Sequence, residues 1–463
     1  MRPICLVAVL MALVSPLAIA QDDRPPNFVL ILSDDAGYRD LGFNRLDGFP
    51  TPRIDSIARS GARFTNAYVT ASVCSPSRAG LLTGRYQQRF GHEFNLGGSD
   101  ESAGLGMSPE EDTIADLMRS AGYATGIIGK WHLGKADGLR PRDRGFDVFD
   151  GILEGSRSYF ATDSTRSPLR VNGEPIPEPE DLYLTDWLGE RAEVFLEDHA
   201  EQPFFLFLSY TAPHGPMHAT GADFDAVADW VPEGSPDKRR TYAAMVRALD
   251  RSVGGVLDRI ESLGLAGNTV VIFTNDNGGA TDNGSDNGPL RGMKGSKWEG
   301  GVRVPMAINW PGVTAAGSRI DEPVSTLDLS ATMAATARAR VAADRPLDGA
   351  DLRLLLAGDI GELQPRALYW RRGGAAAVRF GDWKLIRSEG NPPLLFDLNA
   401  SDDERVDLSN QYPGLVHQLL GMLGAWEGGL AEPLWIEGEP WETNQRMKHR
   451  MEVETRGEER RFP

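Results

Sequence analysis

Four short apolar runs in this chain each lead into residues able to do acid–base or ligand chemistry. Asp34 and Asp35 follow Pro26 to Ser33 (PNFVLILS), and Lys130 and His132 lie just past Tyr123 to Ile128. His214 comes soon after Pro203 to Ser209 (PFFLFLS), and Asp276 with Asn277 follows Thr269 to Thr274 (TVVIFT). Three carboxylates and the amide oxygen of Asn277 are hard oxygen donors, a set that suits Ca2+ or Mg2+ and argues against zinc, for which histidine or cysteine would be expected. The donors do not choose between the two cations. A fifth stretch, Ser72 to Gly84, reads SVCSPSRAGLLTG. Ser75 reads as the N-cap of a helix, with Pro76 at the first helical position, where a missing N–H costs nothing, and Gly84 as its end. Cys74 then stands just before a helix N-terminus. Partial positive charge and free backbone N–H groups gather there, which suits a reactive group that handles an anion. Lys294 and Lys297 add cations on a glycine-rich segment from Gly292 to Gly301.

The elements that must position these residues follow from the same runs. A continuous apolar run of six to eight residues is what a strand buried on both faces of a parallel sheet requires. In open α/β sheets ligands bind outside the carboxyl ends of the strands, so parallel neighbours would bring all four polar strand ends to one crevice. Helices alternate with the strands: one with Thr51 as cap, Pro52 at its start and Gly61 at its end, one over Thr113 to Ala121 closed by Gly122, and an amphipathic one over Thr241 to Leu263. The fold class is therefore α/β. Residues 86–108 and 140–185 read as loops able to wall a pocket. Beyond about 340 the pattern becomes short strands at Ala367 to Trp370, Ala376 to Phe380, Trp383 to Arg387 and Leu394 to Asp397, then a helix from Leu415 to Trp426. That predicts a smaller C-terminal α+β subdomain, an antiparallel sheet with a packing helix.

Residues 1–20 read as a secretory signal peptide: Arg2, an apolar run from Ile4 to Val14, and the small-residue site Ala18, Ile19, Ala20 before Gln21. The organisation expected is then 1–20 signal peptide, 21–345 catalytic domain, 346–440 C-terminal subdomain and 441–463 charged tail, frayed from 445 onward. Cys5 and Cys74 are the two cysteines. Cys5 is lost with the leader, and an exported chain left with one cysteine carries an unexplained thiol unless that residue has been converted to something else. Cys5 lacks the small-residue context of a lipoprotein anchor, and no run approaches a membrane span of about 20 residues. A periplasmic or secreted protein without a membrane anchor is expected. The net charge of −18 across 463 residues makes nucleic acid and anionic membrane surfaces unfavourable partners.

Cys74, Ser75, Pro76, Ser77 and Arg78, with Leu81, Leu82, Thr83 and Gly84 behind them, resemble the signature of the formylglycine-dependent (type I) sulfatases. Gly122 to His132 (GYATGIIGKWH) resembles the second signature of that family. The resemblance implies an alkaline-phosphatase-like fold with a mixed, mostly parallel sheet sandwiched by helices. It implies a sulfuric ester hydrolase in which a maturation enzyme oxidises Cys74 to formylglycine before folding, the aldehyde hydrate being the nucleophile. A divalent cation, usually calcium, would sit on Asp34, Asp35, Asp276 and Asn277, with the modified Cys74 as a further ligand. Arg78 and Lys130 would hold and activate the hydrate. His214 and Lys297 would bind sulfate and protonate the leaving oxygen. His132 would be the base that expels sulfate and restores the aldehyde. Ser156 and Ser158 are candidates for a further polar contact.

The stretch Asn287 to Trp310 resembles bacterial relatives of the N-acetylgalactosamine sulfatases. With the export signal, this points to a sulfated carbohydrate substrate, a glycosaminoglycan or algal polysaccharide fragment. His92, Asn95, Arg157 and Tyr159 are fit to line sugar subsites. A formylglycine-dependent phosphonate or phosphodiester hydrolase and an inactive sulfated-glycan-binding relative are the alternatives.

Overall fold

The computed structural model describes residues 24–438 apart from 45–46, 98–103, 163–165 and 402, together with residues 443 and 447–449. The expected signal peptide, with Cys5, lies outside the described residues. The strands of the large sheet are β1 (Asn27–Ser33), β2 (Ala62–Tyr68), β3 (Ala124–Lys130), β4 (Val148–Ile152), β5 (Arg170–Val171), β6 (Glu174–Pro175), β7 (Phe204–Ser209), β8 (Thr269–Asn275), β9 (Arg303–Asn309), β10 (Ser318–Ile320) and β11 (Val324–Ser325). They lie in the order β10-β2-β9-β8-β1-β7-β3-β4-β5-β6, with β11 also on β2. The four strands that end in reactive residues, β8, β1, β7 and β3, are consecutive and mutually parallel.

Both faces of these strands are apolar because both are covered. Val29 and Ile31 of β1 pack with the helices Pro52–Ser60, Leu184–Asp198 and Asp237–Ser262, while Phe28, Leu30 and Leu32 pack on the other side with Cys74–Thr83, Ile114–Ser120 and Thr326–Thr336. Each fully buried leucine or isoleucine of this kind stabilises the fold by roughly 1.5–3 kcal/mol. Gly129 lets β3 approach β7 next to Lys130: its φ is 121°, and a Cβ there would lie 1.9 Å from the Ser209 carbonyl oxygen.

A second, antiparallel sheet is made of β12 (Ala367–Arg372), β13 (Ala375–Phe380), β14 (Trp383–Ser388) and β15 (Leu394–Asp397). One face carries the helix Pro413–Glu427. The other packs Trp370, Ile386 and Phe396 against Tyr68, Trp298 and Val304 of the large unit. This is the α/β architecture with a small α+β appendage that the apolar runs imply. Among the described residues no helix is long and apolar enough to cross a membrane.

Three local expectations need correction. The helix carrying the cysteine runs Cys74–Thr83 with Val73 as its extended N-cap residue, so Cys74 is its first residue and does not precede it. Ser75 does not cap, because its hydroxyl is spent on the His132 carbonyl (2.7 Å) and on His92 Nε2 (2.7 Å). Pro76 still falls in the first turn, where its missing N–H breaks no helical bond. Residues 140–185 are not all loop, since they contain β4, β5 and β6. Finally, residues 447–449, placed in the frayed tail, pack on the loop after β8, with His449 buried.

Candidate active site

Arg78 organises the strand ends. From the first turns of its helix, fully buried, it donates from Nε to Asp276 (3.0 Å), from one terminal nitrogen to Asp34 (3.1 Å), and from the other to the Ser209 hydroxyl (2.6 Å) and the Lys130 carbonyl (3.1 Å). Those partners belong to the ends of β8, β1, β7 and β3, so one planar guanidinium ties four parallel strands together at their carboxyl edge. Lys130 adds its ammonium to Asp34 at 2.5 Å. Cys74 Sγ lies 3.7 Å from the other oxygen of Asp34. Asp35, in the left-handed region at φ 66°, accepts from Asn277 Nδ2 (2.7 Å) and pairs with Lys294 (2.7 Å). His214 Nε2 stands 3.6 Å from Asp35, while its Nδ1 donates to the Gly215 carbonyl at 2.6 Å.

Donor atoms of Asp34, Asp35, Cys74 and His214 all lie within 4.8 Å of one another, a group that could hold a metal ion. Asp276 is outside that tight group and reaches it through Arg78, while Asn277 bonds Asp35 within it. Yet Asp276 Oδ1 and Asn277 Oδ1 are buried acceptors with no hydrogen-bond partner among the described residues. Buried oxygens left so beside two further carboxylates suit a hard cation, and the residues therefore fit one.

The family model for sulfatases matches residues 26–339. The chain belongs to the sulfatase family. It is 34% identical to arylsulfatase A of Homo sapiens over 90% of this chain and 89% of that one. It is 33% identical to N-acetylgalactosamine-6-sulfatase of Mus musculus over 80% and 73%. Among solved structures, Ps i-CgsB in complex with k-i-k-neocarrahexaose superposes with a TM-score of 0.85 at 34% identity, covering 94% of this chain and 98% of that one. The fold is the alkaline-phosphatase-like one, and the protein is a sulfuric ester hydrolase.

Within this sulfatase the electrostatics separate the ionisable groups by environment. Burial would raise the Asp34 carboxyl, but Lys130, His214, Arg78 and Lys294 hold it well below the usual carboxylate range. Asp276 is driven the other way, by burial and by its neighbours Asp34 and Cys74, against Arg78. Burial and Asp34 push the Cys74 thiol up, and Lys130, Lys294 and His214 together bring it down to about 7. His214 is raised to about 9, Asp34 and Asp35 overcoming the burial that opposes its charge. His132 is lowered well below its ordinary value by burial and Lys130. It is a neutral imidazole whose Nε2 faces the Leu96 carbonyl (3.2 Å), which leaves Nδ1 as the unprotonated nitrogen, buried and unpartnered among the described residues. Lys297 is fully buried and lowered to about 7 by burial and by Arg372.

The structure thus joins Cys74, Arg78, Lys130, Asp34, Asp35, Asp276, Asn277 and His214 in one contact network, with His132 linked through Ser75. It does not bring Lys297 onto that network directly, since its ammonium reaches Ser72 Oγ at 3.4 Å. Lys294 is the residue that reading the sequence named as a cation but gave no role in the site. Its Gly-rich setting marks a mobile cation but gives no sign that it pairs with Asp35. The expected sugar-lining groups are otherwise employed. His92 and Asn95 bond the hydroxyl and the N–H of Ser75, Tyr159 is fully buried and donates to the His214 carbonyl (2.9 Å), and Arg157 pairs with Glu178 (2.7 Å). Ser158 accepts from the Phe160 N–H (3.2 Å), and Ser156 is exposed.

Proposed function

We propose that this sulfatase is exported and removes sulfate from a sulfated carbohydrate, with Cys74 converted to formylglycine and calcium or magnesium held by Asp34, Asp35, Asp276 and Asn277. The observation that carries the carbohydrate reading is the near full-length likeness to Ps i-CgsB, which was solved with a neocarrahexaose. The cation, when bound, supplies Lewis-acid polarisation and offsets the charge of the carboxylates that an anionic ester must approach. Formylglycine supplies a nucleophile that can be regenerated without water attacking sulfur.

The chain's own residues do the rest. Arg78 and Lys130 fix Asp34 and the helix start so that position 74 faces the crevice. His214, whose Nδ1 donates to the Gly215 carbonyl, has Nε2 left to carry a proton to the departing sugar oxygen, and Tyr159 holds its backbone in place. His132, neutral, offers Nδ1 as the base. Lys297 and Lys294 present ammonium groups to sulfate oxygens. In this reading the catalytic unit is residues 21–345, and 346–440 serves it from outside.

The test is kcat/KM for an aryl sulfate against a panel of sulfated oligosaccharides, on enzyme whose Cys74 peptide has been checked by mass spectrometry for the aldehyde. We expect at least one oligosaccharide to exceed the aryl ester, and short chains to exceed intact polymer, because an acidic protein repels a polyanion at a distance. An aryl ester faster than every sugar would end the carbohydrate reading. Full activity with an unmodified thiol would end the formylglycine one.

A further inference from the structure

The loop that carries Lys294 and Lys297 is held by a segment from the far end of the chain. The Lys297 backbone N–H donates to His449 Nε2 (3.0 Å), the Trp298 indole N–H donates to the Lys448 carbonyl (3.0 Å), and the Lys448 ammonium donates to the Lys294 carbonyl (2.7 Å). His449 is only 3% exposed. The loop needs such support because Gly292 and Gly295, both at positive φ, give it little conformational preference of its own. Its inner side is tied by the Gly295 N–H to the Ser72 carbonyl (2.7 Å), next to the hydroxyl that Lys297 Nζ reaches. Its outer side is tied at Lys297 itself by His449.

We propose that His449 is a positioning residue for sulfate binding, fixing the backbone at Lys297 so that the ammonium faces the ester. An imidazole nitrogen that accepts from an N–H carries no proton, so His449 works as the Nδ1–H tautomer. Without it the Lys297 N–H is a buried donor with no partner, and the glycine-rich loop samples other conformations. The proposal rests on the reading of Lys297 as a sulfate-binding group.

The experiment uses the full-length, mature enzyme loaded with calcium, and thermal melts first establish that each variant folds. His449→Ala should raise KM for a sulfate ester and the inhibition constant for inorganic sulfate together, by about tenfold, while kcat changes less, as expected when ground-state and transition-state binding are lost alike. His449→Gln places an amide oxygen near the position of Nε2, so it can accept the same N–H. It should restore both constants to within about twofold, which a role in bulk packing alone would not do. The proposal is overturned if His449→Ala leaves both constants unchanged, or if His449→Gln is as impaired as His449→Ala. Lys297→Ala separates the two levels of the argument. If it loses sulfate binding while His449→Ala does not, the positioning role fails alone; if Lys297→Ala behaves as the native enzyme, the reading of Lys297 fails and takes the positioning role with it.

Discussion

Arg78 is a charge that survives burial only because every donor is used. Two carboxylates, a hydroxyl and a carbonyl accept from it, and an unpaired guanidinium at zero exposure would cost several kcal/mol. The same pairing leaves Asp276 with one oxygen on Arg78 and one without a partner, as a bridging ligand would need. Asp276→Asn keeps the size and an acceptor but removes a negative charge from the site. We expect its apparent calcium affinity to fall by on the order of tenfold or more, with activity recovered at high calcium. Metal content after dialysis, read beside activity against calcium concentration, checks this; unchanged affinity would show that Asp276 serves Arg78 and not a cation. His132 and His214 make the complementary point. Burial and Lys130 push His132 down while, against burial, Asp34 and Asp35 push His214 up, directions that fit the base and acid roles implied by the family resemblance.

At the scale of elements, what could be read from the sequence is what leaves a periodic trace. β1, β7 and β8 are buried on both faces and appear as unbroken apolar runs, which points to strands of a parallel sheet and, if these are neighbours, to a shared crevice; their order comes only with the structure. β2 did not appear. Its sequence ARFTNAY puts Arg63 and Asn66 at half-buried positions among buried ones, and a register shift between Phe64 and Ala67 breaks the alternation. The helix start at Cys74 was misplaced for a related reason, since Ser75 looks like a cap until a tertiary partner takes its hydroxyl. Pro52–Ser60 shows the same effect. Thr51 was the natural cap, but its hydroxyl serves Gly42 and Asp55, and the free N–H groups of Arg53 and Ile54 are met by Asp250 at 3.0 and 2.8 Å from the distant helix Asp237–Ser262. Burial raises Asp250 to about 6, against those two hydrogen bonds.

A raised carboxyl means that the folded state holds the proton more tightly than the unfolded one. The contribution of Asp250 to stability is thus complete below its ordinary value of 3.8 and is lost as pH rises through about 6. Asp250→Asn keeps the acceptor and removes the titration. The difference in Tm between variant and native protein should therefore grow in favour of the variant between about pH 4.5 and 7. A difference flat across that range would mean that the carboxylate is not penalised by burial.

For the whole molecule the question is why a sulfatase of this size keeps a small sheet beside its catalytic unit. The apolar contact of Trp370, Ile386 and Phe396 with Tyr68, Trp298 and Val304 gives adhesion but little direction. Direction comes from a buried ionic cluster. Lys384 on β14 places its ammonium 2.8 Å from Glu299 and 2.9 Å from Glu404, all three with side chains at 0% exposure. Glu299, which follows the lysine loop immediately, also accepts from the Tyr68 hydroxyl (2.6 Å), and its N–H donates to Glu404 (2.6 Å). Burial would raise Glu299, yet Lys384, Arg303 and Arg379 bring it down to about 2, so it is a carboxylate that depends on its cations. The small sheet is in this way bolted to the end of the loop that carries Lys294 and Lys297, while His449 holds the middle of it. Lys384→Met keeps most of the volume and removes the shared cation, leaving two buried carboxylates to face each other. Breaking a buried ion pair by removing one partner typically costs about 3–5 kcal/mol, and Arg303 and Arg379 should keep the loss near the lower end. Urea denaturation gives that number. If the cluster also sets the loop, the folded variant should show a raised KM for sulfate esters. Adding Glu404→Gln should recover stability, because Glu299 keeps Arg303 and Arg379 as its cations and no second carboxylate faces it, while leaving KM raised, because the contacts directed by Lys384 are gone. Recovery of both together would assign the cluster to stability alone, and a Lys384→Met protein as stable as the native one would remove the cluster from the account of how the two units are joined.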